Sequence, residues 1–270
     1  MPVETPLLQV CGLTKQFVIR SPVTQRAVGS KTVLDDISFD LERGRTLGVV
    51  GESGSGKSTL LRVLIGVVPG TGGEVLLDGA RLAPTVANRT LPEKRAMQMV
   101  FQDPTGALHP RMTVFRSLAE TYRVHGTEEG RTVTQEIARL LEVVGLNPGL
   151  ANRYPHQLSG GQRQRVVVAR ALAVRPRVLL CDDPVAALDV SLAAQVLNLF
   201  LDLQDQFGLS YIFVTNNLAV LRQVAHRIAI IRDGRFVEIS ERDDIYERPR
   251  DEYTRELLAA APSLRRSLAG

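Results

Sequence analysis

The chain is poor in cysteine, has no tryptophan and contains no long hydrophobic run. Two of its 270 residues are cysteines and 5% are aromatic. Two cysteines cannot build the disulfide framework of a small secreted domain, so we expect a reducing compartment. No apolar run approaches the roughly 18 residues that a membrane helix needs, and residues 1–5 lack the basic and apolar stretches of an export signal. We therefore expect a chain that neither spans a membrane nor is exported.

The charge excess is also small. The formal net charge is +4 and the sequence pI is about 9.3. This excess is too diffuse to indicate nucleic-acid binding, so we expect no nucleic-acid partner. The histidines lack the spacing of metal ligands, and we interpret them as surface or structural residues; they are His109, His125, His156 and His226.

Short apolar runs alternate with segments of helical periodicity along the chain. Buried strands are predicted at 46–50 and 178–181, and a helix that ends at Gly208 is predicted from apolar positions between Leu192 and Phe207. This alternation predicts a mostly parallel sheet covered by helices on both faces. Further strands are predicted at 7–11, 37–41, 74–77, 97–101 and 212–214, a helix at 57–65, a polar loop at 21–31, and an inserted helical subdomain at about 103–173.

Residues 51–58 match the phosphate-loop pattern G-x-x-x-x-G-K-[ST]. Its glycines let backbone N–H groups point inward at a helix N-terminus, where the helix dipole favours negative charge. Lys57 should reach the β- and γ-phosphates of a bound nucleotide, and Ser58 should hold Mg²⁺ through its hydroxyl. A chance Gly/Ser turn is the alternative, but a predicted strand precedes the loop and a predicted helix follows it. The candidate binding residues are Gly51, Glu52, Ser53, Gly54, Ser55, Gly56, Lys57, Ser58 and Thr59.

Two further motifs follow in the same chain. Asp182 ends an apolar run, which would place its carboxylate at a sheet edge beside the Mg²⁺; an Asp that caps a helix before Pro184 is the alternative. Residues 159–162, Ser-Gly-Gly-Gln, precede a predicted helix and offer a second N-terminus suited to an anion. Since one domain holds a single γ-phosphate, this second cradle should serve a partner's ATP. An ordinary N-cap with glycine at a bend is the alternative.

The order of phosphate loop, Leu158-Ser159-Gly160-Gly161-Gln162 and acidic strand end resembles the ATPase subunits of ABC transporters over nearly the whole chain. The resemblance implies an α/β fold: a P-loop, RecA-like ATPase core with an N-terminal antiparallel β subdomain and an inserted helical subdomain. It implies ATP and Mg²⁺ as ligands, with ATP held between two such domains.

The same resemblance implies roles for individual residues. Thr59 would donate to the α-phosphate, Gln102 would sense Mg²⁺ and signal to the membrane subunit, and Asp189 would cross the dimer interface. Phe17 is a candidate to stack on adenine, and a buried core phenylalanine is the alternative.

Two positions depart from the family pattern. Asp183 stands where the family has a glutamate that acts on the attacking water, and Asn216 stands where it has a histidine against the γ-phosphate. Aspartate is one methylene shorter, which withdraws the carboxylate by about 1.5 Å, and misplacement near 1 Å can cost roughly 100-fold in rate. Asparagine cannot take up positive charge as histidine can. We expect this chain's own site to bind ATP and hydrolyse it slowly, while residues 159–162 complete a faster site on a different ATPase chain. Deliberate substitution of an enzyme that hydrolyses ATP faster would leave the same two residues at these positions, and this is the alternative.

Several segments resemble the oligopeptide, dipeptide and nickel importer branch: residues 47–58, 154–159 and 187–191 and the tail at 253–258, Tyr-Thr-Arg-Glu-Leu-Leu. The tail is the most specific of these to the branch, because it lies outside the shared ATPase machinery. The resemblance implies an ATP-binding domain at 1–250 and an importer-type extension at 251–270. It implies a second ATPase subunit, two membrane-spanning permease subunits and an extracytoplasmic solute-binding protein as partners, with the chain peripheral on the cytoplasmic face of the inner membrane. A non-transport ABC ATPase and a purely regulatory ATP-binding subunit are the alternatives.

Overall fold

The computed structural model describes residues 5–22, 24–127 and 130–260. The described chain divides into two compact units: one contains the residues up to Glu93 and those from Ser210 onward, and the other is Lys94–Leu209. Within these described ranges, no helix is long and apolar enough to cross a membrane. The predicted extension 251–270 is described as far as Ala260, and its residues 261–270 lie outside the described ranges, as do the first four residues of the chain.

The strands and helices follow the predicted alternation. The strands are β1 (Leu8–Arg20), β2 (Ala27–Leu41), β3 (Thr46–Val50), β4 (Gly72–Leu77), β5 (Ala80–Arg81), β6 (Met97–Val100), β7 (Val178–Asp182), β8 (Ser210–Thr215), β9 (Arg227–Arg232) and β10 (Arg235–Glu241). The helices are α1 (Lys57–Leu64), α2 (Leu91–Ala96), α3 (Pro104–Ala107), α4 (Val114–His125), α5 (Val133–Val143), α6 (Gly160–Leu172), α7 (Val190–Phe207), α8 (Leu218–Val224), α9 (Arg242–Glu247) and α10 (Glu252–Ala260). Short 3₁₀ helices lie at Val86–Asn88, Pro148–Asn152 and Pro155–Gln157.

The first unit contains two sets of paired strands. One is antiparallel, in the order β2-β1-β4-β5, and it matches the predicted N-terminal β subdomain. In the other, β3 pairs in parallel with β8 and with β9, and β10 pairs antiparallel with β9. Every residue of β3 and β8 is buried, as expected for strands covered on both faces.

The predicted polar loop at 21–31 is wrong at its C-terminal end. β2 already begins at Ala27, and its first residues pair with the end of β1, for example Phe17 with Lys31 and Ile19 with Gly29. The last five residues of β1 and the first six of β2 are all exposed. A strand with no buried face leaves no alternation of apolar and polar residues in the sequence, so this part of the hairpin had no hydrophobic signal.

The second unit is built on β6 and β7, which pair in parallel. The helices α3 to α6 lie between these strands in the chain, where the helical subdomain at about 103–173 is predicted. That these helices form a subdomain of their own stays a prediction. Helix α7 follows β7, and its boundaries come from local chemistry. The Asp189 carboxylate accepts a hydrogen bond from the Leu192 N–H at 2.9 Å, and Gly208 ends the helix in the left-handed conformation at φ 63°.

Candidate functional site

The phosphate loop joins β3 to α1 in the first unit, and its glycines are required by close backbone contacts. A Cβ atom added to Gly51 would lie 2.1 Å from the carbonyl oxygen of Ile231, and one added to Gly56 would lie 2.7 Å from that of Val33. Gly54 and Gly56 also have φ values of +85° and +109°, which side chains rarely tolerate. The loop therefore has the tight, open-backbone form that a phosphate cradle needs.

Lys57, the first residue of α1, folds back over this loop. Its Nζ donates hydrogen bonds to the carbonyl oxygens of Gly51 at 2.7 Å and Glu52 at 2.8 Å. The Glu52 carbonyl also accepts from the Ser55 N–H at 3.2 Å. The ammonium group is thus held at the loop, where an anionic phosphate would be its strongest partner.

The remaining loop residues differ in exposure. Gly51, Ser55 and Gly56 are buried, and Lys57, Ser58 and Thr59 are half-buried in the first turn of α1, which leaves Glu52, Ser53 and Gly54 exposed. The Gly234 N–H donates to the Ser55 carbonyl at 3.1 Å, so the turn between β9 and β10 supports the loop from one side. These residues fit a polyphosphate, because buried residues fix the backbone while the middle of the loop stays accessible.

Asp182 is the last residue of β7 in the second unit and is 7% exposed. The alternative that it caps the following helix is wrong, because Asp182 lies within the strand and Asp189 caps α7. Asp183 comes next and has φ +44°, in the left-handed region that aspartate tolerates better than most residues. Its carbonyl oxygen accepts a hydrogen bond from the Ala186 N–H at 3.2 Å. The backbone therefore turns sharply at the position predicted to act on water.

Ser159 caps the N-terminus of α6, and Gly160 is the first residue of that helix. The Ser159 hydroxyl accepts from the Gln162 N–H at 3.2 Å, and the Gln162 side-chain oxygen accepts from the Ser159 N–H at 3.0 Å. This reciprocal pair is a capping box. The N-cap alternative is therefore correct as a description of local structure. The N-terminus of α6 still offers backbone N–H groups to an anion. Binding of a partner's ATP by these residues stays a prediction.

A Cβ atom at Gly160 would meet Leu188 Cδ2 at 3.4 Å, an ordinary contact distance, and one at Gly161 would meet Leu192 Cδ2 at 3.2 Å. A small side chain thus fits at Gly160 without moving backbone atoms. The effect of a substitution there will depend on what the side chain presents to a ligand.

The remaining predicted residues lie at ends of elements. Gln102 is exposed between β6 and α3, and Asn216 is exposed at the bend between β8 and α8. Asp189 caps α7, and its role across a dimer interface stays a prediction. Phe17 is 41% exposed, with Lys15 Nζ 4.7 Å from its ring centroid, so the alternative of a buried core phenylalanine is wrong.

The first unit thus contains Phe17, the loop at 51–59 and Asn216, and the second contains Gln102, residues 159–162, Asp182 and Asp183. Tyr253 of α10 is a residue that sequence patterns did not connect with the loop; its hydroxyl accepts a hydrogen bond from the Glu52 N–H at 3.4 Å. This pair is 201 residues apart in the chain, and no local pattern could have joined them.

Comparisons with known proteins identify the family. A family profile described as "ABC transporter" matches residues 34–186. The glutathione import ATP-binding protein GsiA of Escherichia coli (strain K12) is 45% identical over 257 residues, which is 95% of this chain and 41% of GsiA. The GsiA protein of Salmonella typhimurium gives the same identity and coverage. The chain therefore spans less than half the length of these curated relatives.

Two solved structures resemble the fold. The dimeric post-hydrolysis state of the ATP-binding cassette MJ0796, bound to ADP and Pi, is 26% identical with a TM-score of 0.71, covering 87% of this chain and 98% of that chain. The structure of cbiO1 from Clostridium perfringens, part of the ABC transporter complex cbiONQ, is 21% identical with a TM-score of 0.75 and covers 99% of this chain and 100% of that one. The predicted α/β P-loop ATPase fold is confirmed, and the chain belongs to the ABC transporter family as an ATPase domain.

Proposed function

We propose that this chain is the ATP-binding subunit of an ABC importer for peptides or a related small solute. The observation that carries the proposed nucleotide binding is the structure of the loop at 51–58. Close backbone contacts exclude side chains at Gly51 and Gly56, and Lys57 lies over the loop. The importer part is supported by 45% identity over 95% of the chain to proteins named for glutathione import. Glutathione is a tripeptide, which agrees with the importer branch that the tail at 253–258 resembles.

Within this proposal, ATP binds with its phosphates against the loop at 51–59, and Lys57 neutralises charge on the β- and γ-phosphates. Ser58, Gln102 and Asp182 would hold Mg²⁺, whose chemistry is to neutralise phosphate charge when it is bound. The buried carboxylate of Asp182 suits this role, because a desolvated acid at a strand end gains most from a cation.

The proposal assigns slow hydrolysis to this chain's own site. Asp183 would act on the attacking water from a shorter side chain than glutamate, and Asn216 would only hydrogen-bond the γ-phosphate. Both changes affect the rate of hydrolysis more than nucleotide binding, because the loop residues and Asp182 are intact.

Residues 159–162 would complete the nucleotide site of a second ATPase. We propose that this partner is a different chain with a faster site. Two membrane-spanning permease subunits and an extracytoplasmic solute-binding protein would complete the transporter, with the present chain peripheral on the cytoplasmic face of the inner membrane. The permeases, not this chain, would contact the solute.

Affinity purification from solubilised membranes tests the proposal. The tagged chain should bring down two membrane-spanning chains and a second ABC ATPase, and cells that lack the chain should lose uptake of a radiolabelled tripeptide. Recovery without any membrane-spanning chain would favour a non-transport ABC ATPase. Recovery of the full assembly in which this chain's own site binds ATP but never hydrolyses it would favour a purely regulatory subunit.

A further inference from the structure

Helix α10 contacts the phosphate loop through the Tyr253 side chain. The Tyr253 hydroxyl accepts a hydrogen bond from the Glu52 N–H at 3.4 Å, and Tyr253 is only 5% exposed. Both residues belong to the first unit. Glu52 itself is exposed.

Tyr253 is held both at its ring and at its backbone. The Arg232 guanidinium lies 4.6 Å from the ring centroid, a cation–π distance. Arg232 directly follows Ile231, whose carbonyl oxygen lies against Gly51 of the loop. The Tyr253 N–H donates to the Asp251 carboxylate at 2.9 Å. The ring therefore cannot leave the loop without breaking its contact with Arg232 of β9, and the hydrogen bond to Asp251 fixes the backbone from which the ring projects.

The start of α10 is in turn anchored to β10. The Glu238 carboxylate, 8% exposed, accepts hydrogen bonds from the Arg250 N–H at 3.0 Å and the Asp251 N–H at 3.1 Å. Burial raises the pKa of Glu238, but the hydrogen bonds that its carboxylate accepts outweigh burial and lower the pKa overall. A carboxylate that stays ionised holds α10 in place at neutral pH.

Glu52 is thus held at both ends of its backbone. Tyr253 accepts from its N–H, and Lys57 donates to its carbonyl oxygen at 2.8 Å. A loop that is fixed before the ligand arrives loses less conformational entropy on binding, which strengthens affinity.

We propose that Tyr253 is a positioning residue for the nucleotide site, through which the C-terminal segment sets the affinity of the phosphate loop. This inference rests on the proposed nucleotide binding by residues 51–59. Loss of the Tyr253 hydroxyl removes one hydrogen bond to the loop, so nucleotide affinity should fall by roughly threefold to tenfold.

The test is ADP titration of the full chain by calorimetry, comparing wild type with Tyr253→Phe. Phenylalanine keeps the ring and its contact with Arg232. The matched control is Tyr246→Phe, because the Tyr246 hydroxyl is hydrogen-bonded in the same unit but to a different element: it donates to the Leu218 carbonyl at 2.5 Å. ADP is the ligand because it lacks the γ-phosphate that Asn216 would face.

We expect weaker ADP binding for Tyr253→Phe and wild-type binding for Tyr246→Phe. Unchanged or tighter binding by Tyr253→Phe, or equal weakening by both variants, would overturn the inference. Amide hydrogen exchange gives a second readout in the wild-type protein: the Glu52 N–H should be protected, and exchange at the rate of an open loop would also overturn it. Wild type that binds no ADP would instead contradict the proposed function on which the inference rests.

Discussion

Thr46 and His226 exchange two hydrogen bonds at the start of the strand that leads into the phosphate loop. The Thr46 N–H donates to His226 Nδ1 at 3.0 Å, and the His226 N–H donates to the Thr46 carbonyl oxygen at 3.0 Å. Because Nδ1 accepts, the imidazole must be neutral to make the first bond. This pair fixes the register between β3 and β9 at one end of the parallel strands.

The protonation of His226 should make folding stability depend on pH. Burial lowers the pKa of His226, and the positive charges of Arg45 and Arg242 lower it further. The unfolded chain then binds a proton more readily than the folded one. The stabilisation is complete above the unfolded pKa of about 6.5 and is lost as pH falls through the lower folded pKa. Urea unfolding at pH 8 and pH 5.5 should show lower stability at pH 5.5.

The matched variant is His226→Asn, which retains an acceptor near Nδ1 but does not titrate. We expect its stability to change less than that of wild type between the two pH values. An equal change in both proteins would mean that other groups cause the pH dependence.

Nucleotide binding should depend on Lys57. Lys57→Ala removes a charge-assisted interaction with the phosphates, which is worth about 1.5–3 kcal/mol, so affinity for ATP should fall by roughly 10- to 100-fold. Lys94→Ala, in α2 and outside the loop, removes the same charge and should bind ATP like wild type. Fluorescent ATP-analogue titration measures both. Equal affinities for wild type and Lys57→Ala would rule out the proposed role of the loop.

Restoring the family residues should accelerate hydrolysis at this chain's own site. Asp183→Glu combined with Asn216→His lengthens the acid and supplies an imidazole, so turnover should rise tenfold or more. Asp183→Glu combined with Asn216→Gln is the matched control and should gain less. Because Asp183 has φ +44°, glutamate there also adds backbone strain, about 1 kcal/mol, that thermal unfolding should detect. Robust ATP hydrolysis by the purified wild-type chain alone would contradict the slow-site proposal.

The core of the fold was predictable because its strands and helices carry strong hydrophobic patterns. β3 and β8 are wholly buried, and the apolar face of α7 and its end at Gly208 follow from periodicity and a glycine. The strand at Ala27–Leu41 was predicted only in part, because its first six residues are exposed. A hydrophobic pattern cannot reveal a segment of strand in which neither face is buried.

The site was predictable only where one short motif contains the chemistry. The phosphate loop is such a motif, since its glycines and Lys57 are adjacent in sequence. The support from Ile231 and Tyr253 was not predictable, because these residues lie about 180 to 200 positions away and meet the loop only through tertiary packing. The exposure of Phe17 was likewise undecided by sequence, since an aromatic residue suits a core and a ligand face equally well.

In the proposed transporter, residues 159–162 serve a fast site on the partner ATPase, while Asp183 belongs to this chain's own slow site. Steady-state ATPase activity of the reconstituted complex tests this asymmetry, with Gly160→Asp and Asp183→Asn introduced separately. A Cβ atom fits at Gly160, so the carboxylate of Gly160→Asp should act through repulsion of the partner's phosphates, at a cost of several kcal/mol, on the order of a 1,000-fold loss. The uncharged, equally sized Gly160→Asn controls for bulk and should lose less. We expect Gly160→Asp to abolish most activity and Asp183→Asn to reduce it modestly. Equal losses from the two would mean that this chain's site is a principal hydrolytic one and that the two sites are not asymmetric.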